Sequence, residues 1–566
     1  MICYRGTVHW LVLTLTTGCI TGCGAPEGEQ GTLATPWFED VADQAGVDFL
    51  HVRALTTRNW LPEIMSGGAA WLDYDNDGDP DLYLVQSGSL VPGDGPSPGN
   101  RLYRNDDGSF EDVTDASETG HTGYGMGVAA ADFDADGDID FYVTNVGANV
   151  LYRNNGDGTF IDVSATQGVD HVGWGASAAW LDFDRDGDLD LFVTNYVNWS
   201  PAQELACFAG EAERDYCHPR HFNAPAADLL YRNDGDHFTD VTETAGIWKA
   251  RGYGLGVVSG DLNADGWMDL YVANDGMPNQ LWINGGDGTF EDHALITGTA
   301  VNISGMAEAG MGIAMADLHN DGDLDLFVTH LRGETNTLYL NEGGSFEDVT
   351  ATTGLAAASV AFTGFGTGFV DFDNDGQLDV YVGNGRVGRR PPAETPFSEP
   401  NQLFRGLGGG RFEAVIPAGG TAMQRIDNTR AVAFADYDLD GGIDVVVVNN
   451  GGRARLLHNV AGAGRGWLAL AVLGADGTEA LGARVAIEAD GNIQWRTVNR
   501  SGSYLASSSG VLHFGIGNAT AVNEVRVYWP DGSETSYGSL PGHAAYSLQQ
   551  GVSGAVLRSA MPPERR

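Results

Sequence analysis

Residues 73 to 81 read "DYDNDGDPD", with Asp73, Asp75, Asp77, Asp79 and Asp81 at positions 1, 3, 5, 7 and 9 and Gly78 at position 6. Carboxylates crowded onto one short loop repel one another, so the string asks for a counter-charge. Alternate residues of a tight loop can turn toward one centre. Hard divalent cations take oxygen ligands: Ca2+ accepts about six to eight in irregular geometry, whereas Mg2+ holds to an octahedron and sheds its waters reluctantly. On this reading the side chains of Asp73, Asp75, Asp77 and Asp81 supply oxygens, Asp79 supplies its backbone carbonyl, and Gly78 permits the sharp turn.

Nearly the same string returns six more times. The second copy holds Asp132, Asp134, Asp136, Asp138 and Asp140; the third holds Asp182, Asp184, Asp186, Asp188 and Asp190. The fourth holds Asp261, Asn263, Asp265, Trp267 and Asp269, where Asn263 keeps an oxygen and loses a charge. The fifth holds Asp317, Asp321, Asp323 and Asp325, with His319 at position 3. Its nitrogen suits Ca2+ poorly, so this site is expected to be weak. The sixth holds Asp371, Asp373, Asp375, Gln377 and Asp379; the seventh holds Asp436, Asp438, Asp440, Gly442 and Asp444. Trp267, Gln377 and Gly442 stand at position 7, where the carbonyl is the ligand and the side chain matters less. The expectation is up to seven Ca2+ sites.

Those loops need elements to position them. Most are preceded by small and apolar residues such as "GVAAA" and followed by apolar runs such as "LYLV" or "LFVTN", so each joins two short strands. Two other strings keep step. One is "LYRN"-like, beginning at Leu102, Leu151, Leu230, Leu281, Leu338, Leu403 and Leu456. The other is "FEDV"-like, beginning at Phe38, Phe110, Phe160, Phe238, Phe290, Phe346 and Phe412. Four strands repeated seven times predict an all-β fold, a seven-bladed β-propeller over residues 36–460. Successive loops start 50 to 79 residues apart, far too long for a solenoid of nine-residue acidic turns. The phase adds a closure: an "FEDV" strand precedes the first loop and none follows the seventh "LLHN". The last blade should therefore combine residues near 36–46 with residues near 430–459, leaving no open edge.

After residues 461–466, "AGAGRG", the acidic repeat stops. Residues 466–555 alternate in the β manner, as in "WLALAVL", "ARVAIEA" and "VRVYWPDG", and predict a small C-terminal β-domain.

The chain has 566 residues with Lys+Arg 30 and Asp+Glu 77, a net charge of −47. That excludes nucleic acid and anionic membrane surfaces as partners and suits cation binding; an acidic solvated surface is the plain alternative. The leader, residues 1–23, has Arg5 followed by an apolar stretch from Trp10 to Ile20, too short to span a bilayer as a mature helix. Its end, Ile20-Thr21-Gly22-Cys23, resembles a bacterial lipobox, which implies lipidation at Cys23 and an outer-membrane or cell-surface lipoprotein; an ordinary cleaved signal is the alternative. Residues 24–35 read as a flexible tether. The only cysteines beyond the leader are Cys207 and Cys217, a pair that invites a disulfide in an oxidising compartment; two free thiols are the alternative.

The acidic loops resemble the FG-GAP or VCBS-type calcium repeats of integrin α-chain propellers and of many extracellular bacterial proteins. The strings "LGARVAI", "RSGSYLASSSGVLHFGIG" and "VRVYWPDGS" resemble the ASPIC/UnbV domain. With the two in this order, the chain is similar to the cartilage acidic protein (CRTAC/ASPIC) family. The resemblance implies a secreted, calcium-binding protein of adhesive or matrix type, and implies no reaction.

Two long interruptions are left. Residues 195–228 hold Cys207, Cys217, Trp199, Tyr216, His218 and His221, and read as a braced recognition loop or, alternatively, as a metal or catalytic cluster. Residues 385–400 are Pro-rich and locally basic. No HExxH or P-loop string is present. The expectation is a module that binds an extracellular protein or glycan and touches the membrane only through its lipid anchor. The alternative is a hydrolase or redox enzyme working in the propeller channel or at the 195–228 insertion.

Overall fold

Small and apolar strands, each entering an acidic turn, open seven four-stranded antiparallel repeats; pairing of Asp140–Ala148 with Val172–Leu181 joins the second and third into one eight-stranded sheet, and Ala506–Ser507 adds a parallel fifth strand to the first. The structure is a computed structural model, and it describes residues 35–53, 56, 58–91, 97–209, 213–390 and 395–560. The leader with Cys23, and all of the tether except residue 35, lie outside the described residues. Among the described residues no helix is long and apolar enough to cross a membrane.

The first sheet takes its strands from Ala69–Leu72, Asp81–Leu84, Arg101–Asp106 and Ser109–Asp112. The second to sixth repeat this order, their innermost strands being Gly125–Ala131, Val172–Leu181, Gly254–Gly260, Ile313–Ala316 and Gly364–Val370. The seventh has Thr429–Ala435, Asp444–Asn449 and Arg455–Asn459, and its fourth strand is the N-terminal Phe38–Asp40, pairing Phe38 with Asn459 and Asp40 with Leu457. The innermost strands of successive sheets lie side by side, and that of the seventh lies against that of the first, so the contacts form a closed cycle.

Inside that cycle runs a segment of the C-terminal domain, residues 499–509, which touches the innermost strand of every sheet. Arg500 Nη1 donates to Trp71 O at 3.1 Å, and Ala506 and Ser507 pair in parallel with Ala69 and Ala70 of the first sheet. Ala130 N of the second donates to Ser507 Oγ, and Leu505 N donates to Ser177 Oγ of the third. Asn499 Nδ2 donates to Ser259 O of the fourth at 2.8 Å, and Ile313 N of the fifth donates to Ser503 O at 2.9 Å. Ser503 Oγ accepts from Thr367 N of the sixth and donates to Val432 O of the seventh at 2.7 Å. Tyr504 sits deepest: fully buried, with its ring on Phe365 and its hydroxyl donating to Met65 O. Small residues are required on the inner strands because there is no room for more. A Cβ on Gly312 would sit 2.1 Å from Phe365 O, and one on Gly68 would sit 2.7 Å from Leu505 O.

The C-terminal domain is two four-stranded sheets sharing one core that includes Leu470, Ile487, Phe514, Val527 and Leu548. Its last strand, Val556–Ala560, runs past the expected boundary at 555. Val556 and Leu557 are exposed on this edge strand, which leaves little apolar alternation to read. Nor is it a separate lobe, since residues 499–509 tie it to all seven sheets. Losing a fully buried aromatic costs about 3–5 kcal/mol. Tyr504→Ala is therefore expected to lower the melting temperature of the whole molecule in a single calorimetric transition. An early transition of the C-terminal domain alone, over an unchanged main transition, would contradict this coupling.

Candidate metal centres

Each acidic loop adopts one conformation. Position 4 is left-handed in all seven, with φ between 55° and 61° at Asn76, Ala135, Arg185, Ala264, Asn320, Asn374 and Leu439, and position 6 is a glycine with φ between 88° and 99°. Left-handed Ala, Arg and Leu are uncommon, and seven in register mean that loop contacts outweigh the cost.

Those contacts repeat. The position-1 carboxylate accepts from the position-6 amide: Gly78 N to Asp73 at 3.1 Å, Gly137 N to Asp132 at 2.9 Å, Gly441 N to Asp436 at 2.9 Å. The position-5 carboxylate accepts from the position-7 amide, as Asp79 N to Asp77 at 2.9 Å. Side chains at position 7 turn to the neighbouring hairpin, where Asp79 accepts from Asp107 N and Asp323 from Gly343 N. The position-9 aspartate is pinned at both oxygens. Asp81 accepts from Tyr74 N at 2.9 Å and from Asn105 N at 2.7 Å; Asp140 accepts from Phe133 N and Asn154 N in the same way.

The asparagine closing "LYRN" does a second job. Its Nδ2 donates to the position-2 carbonyl of the preceding sheet: Asn154 to Tyr74 O, Asn233 to Phe133 O, Asn284 to Phe183 O, Asn341 to Leu262 O, Asn459 to Phe372 O and, across the join, Asn105 to Tyr437 O. The sixth sheet has Gly406 here, and a Cβ at that point would lie 2.3 Å from Leu378 O.

After these bonds, Oδ1 of Asp73 and Asp182 at position 1, and of Asp134, Asp184 and Asp438 at position 3, is buried with no hydrogen-bond donor. A buried acceptor left unmatched costs about 1–3 kcal/mol, more when charged. Asp73, Asp75 and Asp81 converge within 4.8 Å; so do Asp132, Asp134 and Asp136, and Asp182, Asp184 and Asp190. These donor sets are oxygen-only and anionic, and fit a hard cation. Position-1 and position-3 carboxylates would hold it, joined by position 9 in the first and third loops and by position 5 in the second.

The loops differ in what else neutralises them. Among the described residues no basic side chain lies within 4 Å of a carboxylate in the first four loops. In the fifth, His319 Nδ1 is 3.5 Å from Asp325 Oδ2. In the sixth, Arg405 Nη2 is 2.7 Å from Asp375 and 3.1 Å from Asp373, and Arg465 Nη1 is 3.0 Å from Asp373. In the seventh, His458 Nδ1 is 3.3 Å from Asp444. Basic side chains thus stand against the carboxylates at loops five to seven. Arg405 and His458 hold the third place of "LYRN", a place whose residue type does not mark a competitor: in the first and third repeats the arginine there is bonded elsewhere, Arg104 to Asp106 and Glu111 and Arg232 to Asp234.

Cys207 and Cys217 are disulfide-bonded, which removes their sulfurs from the metal-ligand reading of the insertion; His221 Nδ1 lies 3.5 Å from Cys207 Sγ. The channel proposed as an enzyme site is filled by residues 499–509. Its far end is closed by a cluster that includes Met65, Trp174, Tyr196 and Tyr504, with Trp199 and Tyr216 of the insertion packed against it.

The fold and loops define a class: an all-β protein of repeated sheets whose acidic turns gather oxygen-rich carboxylate clusters, bound to a C-terminal β-domain. FG-GAP-like repeats match residues 73–143, 132–193, 261–328 and 319–382, and the ASPIC and UnbV domain matches 474–555. Human cartilage acidic protein 1 is 29% identical over 309 residues, 52% of this chain and 44% of that protein; the Xenopus tropicalis protein of the same name is 28% identical over 338 residues, 58% and 48%. The chain belongs to the CRTAC/ASPIC family. It spans about half the length of these relatives. Among solved structures, the BP39L lectin of Burkholderia pseudomallei aligns over 70% of this chain and 97% of its own at 11% identity and a TM-score of 0.42, too slight a likeness to bear on a ligand.

Burial, reinforced by like charge, pushes the loop aspartates up in the absence of a cation: Asp81 and Asp269 to about 8, Asp140 and Asp190 to about 9, Asp444 to about 7. His458 is also raised, to about 9, by its contact with Asp444. Each folded value exceeds its unfolded one, so the folded state binds more protons and stability is lost as pH rises through these values. His51, His330 and His513, lowered by burial, oppose this only below about pH 6.5. In excess chelator the melting temperature should therefore rise as pH is taken from 9 to 7; a fall over that interval, followed by scanning fluorimetry, would contradict the burial of uncompensated carboxylates.

Proposed function

We propose that this chain is a calcium-loaded, seven-bladed propeller that acts outside the cytoplasm as an adhesion-type module for a protein or glycan. The seven sheets are its blades, the N-terminal strand closes the ring, and the C-terminal domain plugs the axis. The observation that carries the calcium assignment is the set of buried carboxylate oxygens with no donor at Asp73, Asp134, Asp182, Asp184 and Asp438. Loops one to four are the strong sites, because loops five to seven already hold a basic side chain. Membership of a family of FG-GAP-like repeats supports the adhesive role, the disulfide suits an oxidising compartment, and Cys23 would anchor the chain by lipid.

The recognition element is assigned to the 195–228 insertion. It is held on its inner side, where Trp199 packs edge-on to Trp60 and Trp174, and Tyr216 donates to Glu63 Oε2 at 3.1 Å. Its hairpin, Cys207–Ala209 paired with Glu213–Asp215, presents Phe208, 56% exposed, and Leu205. A rigidly seated loop with an outward aromatic suits contact with a partner.

The test is a glycan and matrix-protein array probed with the folded protein in millimolar calcium. Binding should fall about tenfold or more in Phe208→Ser at an unchanged melting temperature, the loss expected for a hot-spot aromatic. Binding that survives both Phe208→Ser and deletion of residues 200–225 would remove the insertion as the recognition element.

A further inference from the structure

Between the acidic-loop ends of the fifth, sixth and seventh sheets and the underside of the C-terminal domain lies a cavity of about 660 Å3, the size of a small-molecule site. Part of its lining is apolar, from Met315, Phe369, Phe434 and Leu512. The rest is polar: it includes the acidic-loop carboxylates Asp317, Asp371 and Asp436 and the arginines Arg484 and Arg558, and it holds some groups short of partners. Trp467 is 2% exposed, and its indole Nε1 has no acceptor. His513 Nε2 donates to Gly441 O at 3.1 Å, which makes Nδ1 a lone pair, and that atom is buried without a donor.

Arg496 also lines the cavity. Its guanidinium donates to Trp495 O at 2.8 Å and lies over the Phe514 ring, 5.3 Å from the centroid; Gln494 Oε1 stands 3.5 Å away. Its nearest negative charges are Asp371 and Asp317, the position-1 carboxylates of the sixth and fifth loops. Both are already tied to loop amides, Asp371 to Asp375 N and Gly376 N, and Asp317 to Asp321 N and Gly322 N. A divalent cation in those loops would claim their charge as well. Among the described residues Arg496 makes no ion pair within 4 Å, and with those loops filled it is a buried cation beside an unmatched donor and an unmatched acceptor, against an apolar wall. Such a combination is costly empty and favourable when filled.

We infer that this cavity is a binding site for a small organic anion with an apolar body, its carboxylate or sulfonate on Arg496, its hydrophobic part against Met315 and Phe369, and an N–H or O–H of its own on His513 Nδ1. The inference rests on the calcium reading in one respect, that cations filling the fifth and sixth loops, the weaker sites, would take up the charge of Asp317 and Asp371 that otherwise faces Arg496.

The probe is 8-anilinonaphthalene-1-sulfonate, which carries an anion, an aromatic body and an N–H, titrated by fluorescence into the folded, calcium-saturated protein. One saturable site per chain is expected, emptied by Ala316→Phe, which fills the cavity from the fifth sheet. Arg496→Leu should weaken it about tenfold, as removal of a buried charge partner does. Where Arg496→Leu does not fold, uncharged N-phenyl-1-naphthylamine gives the same reading on wild type and should bind about tenfold more weakly than the sulfonate. Absence of a saturable site, equal affinity for the charged and neutral probes, or a site untouched by Ala316→Phe in folded protein would overturn the inference. The calcium reading fails separately: a melting temperature indifferent to chelator removes it, while Ala316→Phe still reports on the cavity.

Discussion

A carboxylate is among the costliest groups to bury, and this fold buries one at the equivalent place of all seven acidic loops. The position-9 aspartates show how far it goes. Asp81, Asp140, Asp190, Asp269 and Asp444 are sealed from water, and each holds two backbone amides from different strands. That arrangement locks the acidic loop to the third strand of its own sheet, and the asparagine that follows locks it to the sheet before. Neutralising the loop therefore stabilises more than the loop: the same few residues carry the join between neighbours all the way around the cycle, with one gap at Gly406.

The axis imposes the second constraint. The innermost strands carry Trp71, Trp180 and Phe365 as well as small residues, but glycines such as Gly68 and Gly127, where a Cβ would meet Leu505, let residues 499–509 bond to each strand in turn. The C-terminal domain also reaches the loops from outside, with Trp495 N donating to Asn320 Oδ1, Gly517 N donating to Asn374 O and His513 Nε2 donating to Gly441 O. It clasps the left-handed turns of loops five to seven, the loops that also hold His319, Arg405, Arg465 and His458. On that side basic side chains stand against the carboxylates, which makes the ring chemically asymmetric.

Much of this was legible from spacing. The acidic string, "LYRN" and "FEDV" each recur seven times, and their phase alone foretold the pairing of Phe38–Asp40 with Arg455–Asn459. The rest was hidden for physical reasons. Position 4 of the loop is Asn, Ala, Arg or Leu, so no residue type betrays its left-handed backbone. The asparagine of "LYRN" reads as the end of a strand, because its partner carbonyl lies on another sheet some 80 residues away in the case of Asn154 and Tyr74. The string "RSGSYLASSSG" marks a domain family but has no periodicity, and nothing local says that it enters a ring built several hundred residues earlier. The alternative of an enzyme working in the channel could therefore be kept open from the sequence, whereas Ser503, Tyr504 and Ser507 lie between the inner strands.

The central claim is that divalent cations compensate the buried carboxylates and thereby hold the ring closed. The most direct test is the melting temperature of the purified chain at neutral pH in millimolar calcium and in excess chelator. A cation bound only by the folded state adds stability that grows with the logarithm of its concentration over the dissociation constant, so a large drop in chelator, reversed by added calcium, is the predicted result. Equal melting temperatures in the two conditions would contradict the account.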